Sequence, residues 1–577
     1  MHLPVFLLFT LSLFAVACST STPGAQPRPS YGPPDAAIAT PIPSPFTDLV
    51  ANAAQARRGG VLTLGNRGDP PAGFDPMRTS SIALHHVGGA LFGPGSLVMR
   101  CRENMYLVCP YLARKWTVNA DFTQWTFFLQ DDVTWHDGTL FTPEDVKFWY
   151  DLAYSGAAIG ERTRAPAYFA TDLGELKQVE VLPGNQVRIT LTQPAPLLLD
   201  VLMNPRHKIA HPARLMQPRL EAGEMSIAPT DVGLVGTGPF RLERYDQGSL
   251  IKVRRYDKYW EHDALGNSMP YLDGIDYVII PNPATMDAAF RSGRLDGGAR
   301  GEGHYLTAER KAAYDKDLGD KVTYVQMQGG VFRLAFNVLK EGPWQDARVR
   351  RAFALWIDKE AVIPAALGGL GYLSPVLGPS NPFTSANFAN WPGFNRGTLE
   401  ENRAQAKALM DEAGYAKGFS MGYLCRDITL PRCEFLHAQL AGLGIELKLS
   451  VVDEAEWNRG RISLDYDSQS GANTTSPVPE GTEVAFGRFS RNPDAYAKHE
   501  DPQVERLYQR LYAARSYAQR LAAWRAIEQY VILEQAYVVP IAGTYQIVPY
   551  RSYVKGLVAP PEDGHTHTDF ATVWLER

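Results

Sequence analysis

The stretch VTWHDGTLFTPEDVKFWYD, Val133–Asp151, sets His136 close to Asp137, Glu144 and Asp145. A histidine among carboxylates is the equipment of general acid–base or metal-assisted hydrolysis. A second cluster, HTHTDF, places His565 and His567 two positions apart, where one strand face would present both to a metal ion. His85 and His86 are adjacent, so on a strand they would point to opposite faces and make no ligand pair. Four of the five cysteines form two couples, Cys101 with Cys109 and Cys425 with Cys433, each eight positions apart. In an exported chain they are expected to close as two short disulfide loops. The competing reading is a zinc site made by all four, although zinc sites favour cysteines two to four residues apart.

The elements that must position these residues account for most of them. Val133–Trp135 ends a strand, and His136-Asp137-Gly138 has the composition of a tight turn, because Asp-Gly supplies positive φ at little cost. Thr142 is placed to cap a helix, Pro143 suits its first position and Asp145 completes a capping box. Glu144 and Asp145 also oppose the positive end of that helix's dipole. His136 is then the one catalytic candidate left in the stretch. The sequence holds no GxSxG elbow, HExxH or P-loop, and GTGPF (Gly236–Phe240) lacks the later glycine of a dinucleotide fingerprint. No catalytic residue, metal ligand or cofactor is expected.

At 577 residues the chain has length for two to four structural units. A net charge of −5 and the absence of any Lys/Arg run give no footprint for nucleic acid. Leu3 to Ala17 is an apolar run too short to span a bilayer, and it reads as the core of an export signal, residues 1–17. It ends at FAVAC, which resembles a lipobox: cleavage before Cys18 would leave that cysteine to carry a lipid. Ala15 stands where leucine is preferred and MHLP carries no basic residue, so an ordinary signal peptide is the alternative. Residues 18–56, rich in Ser, Thr, Pro and Ala, cannot bury enough apolar surface to fold and read as a tether reaching ~35 Å.

The remaining chain mixes strands and helices. QVEVLPGNQVRITLTQP is a hairpin turning at Pro183-Gly184-Asn185, and GTGPFRLERYDQGSLIKVRRYDKYW is another. Asp346 caps a helix whose Val349, Phe353, Trp356 and Ile357 share one face, which assigns Arg348, Arg350 and Arg351 to its solvated side. ENRAQAKALMDEAGY is a helix stopped by Gly414, and Leu507, Leu511, Leu521, Trp524, Ile527 and Val531 continue the helical period later.

These segments, in order, resemble the family 5 extracellular solute-binding proteins, receptors of ABC importers for peptides, dipeptides and nickel. The resemblance rests on GGVLTL with FDP, LARKW, FTQWTFFLQDDVTWHDGTLFTPEDVKF, VGTGPFRLERY with YDKYW, SGRLD, RLAFNV with DARVRRAFALWIDKEAV, and KALMDEAGY with LAGLGIELKL. It implies an α/β fold of the type II periplasmic-binding class: two lobes, with an extra domain inserted in the first. Residues 57–84, 206–330 and 535–577 would form the first lobe, 85–205 the inserted domain and 331–534 the second lobe. It implies capture of a peptide or similarly sized solute, a membrane permease as partner, an exported and lipid-anchored location, and a monomer. In the family's peptide receptors an aspartate of the second lobe holds the peptide's amino group. The matching stretch here, LDYDSQSGANTT, has Asn473-Thr474 at that place, with Asp467 as the nearest carboxylate. Asp467, Ser468, Ser470, Asn473 and Thr474 are the expected contacts in that lobe, and Thr79, Ser80, Ser81 and Tyr168 those in the first. Two rival functions are an exported metal-dependent hydrolase using Asp131–Asp137 or the HTH cluster, and a solute sensor.

Overall fold

The computed structural model describes residues 49–79, 81–155, 158–159, 162–163, 167, 169–170, 176–298, 305–470, 486–487, 495–558 and 569–577. Its three largest sheets organise the molecule. The first has the order Val61–Asn66, Gly274–Ile279, Leu250–Arg255, Phe240–Asp246; its first two strands run parallel and the last two form the expected hairpin. Alternating Val, Leu and Ile turn inward there against the helix Ile82–Leu91, so that Leu62, Leu64, Val253, Ile275, Leu84 and Val87 share one core.

The second sheet is antiparallel throughout: Ala113–Val118, Gln124–Leu129, Gln186–Leu191 and Leu176–Leu182. Gly184 (φ +81°) and Asn185 (φ +57°) make its turn, where the sequence places it. Trp125, Phe127, Val133, Trp135, Val146 and Trp149 join this sheet to the helix Pro143–Tyr150 in a separate aromatic core.

The third sheet has six strands, in the order Gly371–Tyr372, Val538–Arg551, Val322–Phe336, Ser468–Gln469, Phe419–Arg426, Ile445–Val452. The last two are parallel, connected through the helix Leu430–Ala441. Val322–Phe336 and Val538–Arg551, 15 and 14 residues long, pair along nearly their whole length. These two strands carry the chain out of the first lobe and back. Met327, Val548 and Tyr550 belong to the core of the first sheet. Phe332, Leu334, Phe336, Val539 and Ile541 instead pack with Val349, Phe353, Leu436 and Ile445 in the second lobe. Between the halves the ladder breaks: it steps from Gln328 to Val331 on one strand while the partner steps only from Tyr545 to Gly543.

Asp346 caps the helix Ala347–Trp356 by accepting a hydrogen bond from Arg348 N at 2.8 Å, and Val349, Phe353, Trp356 and Ile357 are buried as their spacing predicts. Arg350 departs from expectation. It is buried, donating to the carbonyls of Trp344, Gln345 and Gln535, with its guanidinium 4.8 Å from the Tyr537 ring centroid. Its partners lie before the helix and in a distant segment, so a helical wheel assigns it wrongly to solvent. His85 and His86 sit on the helix Ile82–Leu91 and not on a strand.

Candidate ligand-binding cleft

Most polar residues of Val133–Asp151 are occupied by structure. Asp137 Oδ1 accepts from Thr139 N (3.1 Å) and Oγ1 (2.7 Å), closing the turn at Gly138. Asp145 is buried and accepts from Thr142 N at 3.0 Å, Trp135 Nε1 at 3.1 Å and Ala213 N at 2.9 Å. Burial pushes its carboxyl pKa up, while these donors hold it down. His136 Nδ1 lies 3.1 Å from Gly236 N and accepts its proton, so Nε2–H donates to Gly238 O at 3.0 Å. Loss of solvation lowers its pKa to about 4, which keeps the ring neutral. The histidine therefore fastens the hairpin to the GTGPF segment. His86 Nδ1 meets Asn66 Oδ1 at 3.2 Å, with its ring edge against Tyr277. Among the described residues no group of three His, Cys, Asp or Glu side chains could hold a metal; His565 and His567 lie outside them.

Both cysteine couples are bonded, Cys101 to Cys109 with Cα atoms 5.0 Å apart and Cys425 to Cys433 at 6.3 Å. The first loop holds Arg102, buried and paired with Glu261 (2.7 Å) and Asp569. Lys208 is buried nearby within reach of the Asp569 charge, and its Nζ has no acceptor among the described residues. At the other end of the loop Tyr106 OH reaches Ser380 Oγ in the second lobe, at 3.0 Å. Ser380 Oγ in turn donates to Gln328 Oε1 at 2.9 Å, immediately before the break in the long ladder.

The expected contact residues fall in two groups. On the first-lobe side Ser81 N donates to Thr79 Oγ1 at 3.1 Å, and Ser81 heads the helix Ile82–Leu91. In the second lobe Asp467, Ser468 and Ser470 follow one another along the short strand between Val322–Phe336 and Phe419–Arg426. Ala335 faces Gln469 and Phe336 faces Ser468, so the chain runs from Asp467 towards the ladder break as it reaches Ser470. Asp467 is held in place: Lys340 Nζ lies 3.0 Å from Oδ1, and Gly422 N donates to Oδ2 at 2.7 Å. Ser468 Oγ donates to Gly422 O at 3.0 Å. Ser470 is fully buried with no partner for its Oγ among the described residues. No hydrogen bond links Thr79 or Ser81 to this strand among the described residues. Ser80, Tyr168, Asn473, Thr474 and Cys18 lie outside them.

Sequence reasoning missed Lys340 as the partner of Asp467, and missed Arg333. Arg333 is buried just past the ladder break, and desolvation lowers its pKa to about 10. Both faces of the strand are buried from Gly329 to Phe336, so an arginine in the otherwise apolar run VFRLAF was the available signal.

The sequence pattern of the bacterial extracellular solute-binding proteins, family 5 Middle, matches residues 108–499. The chain belongs to that family. This family 5 protein is 26% identical over 520 residues to the dipeptide-binding protein of Escherichia coli strain K12, covering 86% of this chain and 91% of that one. Its fold matches the periplasmic binding protein AgaA of A. tumefaciens R10, solved with agropinic acid, at TM-score 0.66 and 25% identity over 90% of this chain and 99% of the other. HbpA2 from Haemophilus parasuis matches at TM-score 0.72 and 21% identity, over 90% and 100%. The bilobed α/β architecture is thus that of the periplasmic binding proteins, and these relatives bear the names of binding proteins rather than of enzymes.

Proposed function

We propose that this family 5 protein is the substrate-binding component of an ABC importer. It captures a peptide or similarly sized solute between its lobes and hands it to a membrane permease without reacting with it. The observation that carries the reading is the pair of long strands joining two separate cores, with a break in their pairing at Gly329-Gly330 opposite Thr544. Such a joint lets the lobes rotate about the break while each core stays packed. The likeness to a dipeptide-binding protein over most of the chain supports a short peptide as ligand.

In this reading Thr79, Ser80, Ser81 and Tyr168 face the solute from the first lobe and its inserted domain, residues 85–205. Ser468, Ser470, Asn473 and Thr474 face it from the second. Asp467, neutralised by Lys340, fixes the strand that delivers those residues rather than gripping an amino group. The protein acts as an exported monomer held at the membrane by a lipid on Cys18.

Native mass spectrometry and a thermal-shift screen of dipeptides, oligopeptides, sugars and metal chelates test the proposal. A true ligand at 100 times its Kd raises stability by about 2.7 kcal/mol. Absence of any shift across all four classes overturns it.

A further inference from the structure

The lobes touch at places away from the expected solute contacts, and those contacts come from one assembly on each side. In the second lobe the helix Tyr517–Ile527 is fastened to the loop around Ser380–Ser385. Tyr517 OH donates to Pro382 O (3.0 Å), Arg525 donates to the carbonyls of Phe383 (2.8 Å) and Thr384 (3.0 Å), and Tyr517 packs on Phe383. Across from it stand three parts of the inserted domain: the Cys101–Cys109 loop, the turn before Gln124–Leu129, and the helix Leu198–Leu202.

Each of the three meets that assembly or the residues leading into its helix. Tyr106 OH meets Ser380 Oγ at 3.0 Å. Arg515 lies with its guanidinium 4.7 Å from the centroid of the Phe122 ring. Arg520 Nη1 is 3.6 Å from Asp200 Oδ2, and both side chains are mostly shielded, at 16% and 19% exposure. Phe122 carries a second mark: its φ is +61°, a left-handed conformation costly for a bulky side chain. The backbone holds it there, with Phe122 N donating to Asn119 O and Phe122 O accepting from Ala195 N. A strained turn that offers an aromatic ring to a cation of the opposite lobe is arranged for contact across the gap.

We infer that Phe122, Asp200 and Tyr106 form a clasp by which the inserted domain grips Arg515, Arg520 and Ser380, holding the lobes closed before solute binds. The clasp rests on the receptor reading above and deepens it, since it sets affinity from outside the solute contacts. Bonds present only in the closed form shift the open–closed equilibrium towards closure, and a binding-competent state that is more populated raises apparent affinity in proportion. Each partly shielded contact is worth a shift of about fivefold in that equilibrium.

Small-angle scattering on the unliganded full chain tests the clasp, because it needs no ligand and so fails independently of the binding reading. Phe122→Ala and Arg520→Ala are expected to raise the radius of gyration, each with a several-fold larger open fraction, and the charge exchange D200R/R520D to recover most of the wild-type value. Melting temperature is read in parallel. Variants that scatter like wild type, with or without a lower melting temperature, overturn the proposal, as does a charge exchange no better than Arg520→Ala alone.

Discussion

Asp145, His136 and Arg350 show what a side chain's neighbours in sequence do and do not reveal. The capping role of Asp145 is local, three residues from Thr142, and was readable; its acceptance of Trp135 Nε1 and Ala213 N was not, because the latter lies 68 positions away. His136 read as a leftover catalytic candidate because its two partners, Gly236 N and Gly238 O, belong to a distant segment. Its titration makes a prediction. The folded pKa is depressed from 6.5 to about 4, so the neutral ring is the one the fold accepts. Stability from this group is fully present above pH 6.5 and is lost as pH falls through 4, since the unfolded chain binds the proton first. Burial lowers His499 in the same direction. Calorimetric melting temperatures should fall across that window in the wild type and fall less steeply in His136→Gln.

Hairpins and capped helices were legible as elements because their signals sit within a dozen residues, as at Gly184-Asn185 and Asp346. The pairing of Val322–Phe336 with Val538–Arg551 left no such trace, since the partners are some two hundred residues apart and neither strand carries a local signal that names the other. The Cys101–Cys109 loop belongs between these cases. Its bond was legible from spacing, while its two duties, Arg102 anchored inward on Glu261 and Asp569 and Tyr106 reaching outward to Ser380, were not. Replacing both cysteines with serine should cost about 2.5 kcal/mol by loop entropy alone. Because Arg102 and Tyr106 share the loop, solute affinity should weaken as well. Chemical denaturation and binding of the double variant measure the two effects, and an unchanged affinity would show that the loop does not shape the cleft.

For the molecule as a whole, the proposed closure would turn on the break in the long ladder. A Cβ added at Gly543 would stand 2.1 Å from Tyr372 Cζ, and the Tyr372 hydroxyl donates to Gly329 O across the same joint. Gly543→Ala is therefore expected to lower stability by about 1–3 kcal/mol through overpacking and to weaken solute binding. The double variant with Tyr372→Ala should regain part of both, and calorimetry with a binding titration would show it. The same topology fixes an order of assembly. The core of the second lobe draws on residues from Phe332 to Ala542, whereas the first lobe needs Leu62 and Leu64 from one end of the chain and Val548, Phe570 and Val573 from the other. Loop closure over that span is entropically slow until the intervening lobe has compacted and drawn the ends together. The lobe whose sequence is synthesised first is thus expected to be the last to finish folding, because its core waits for the final strands of the chain.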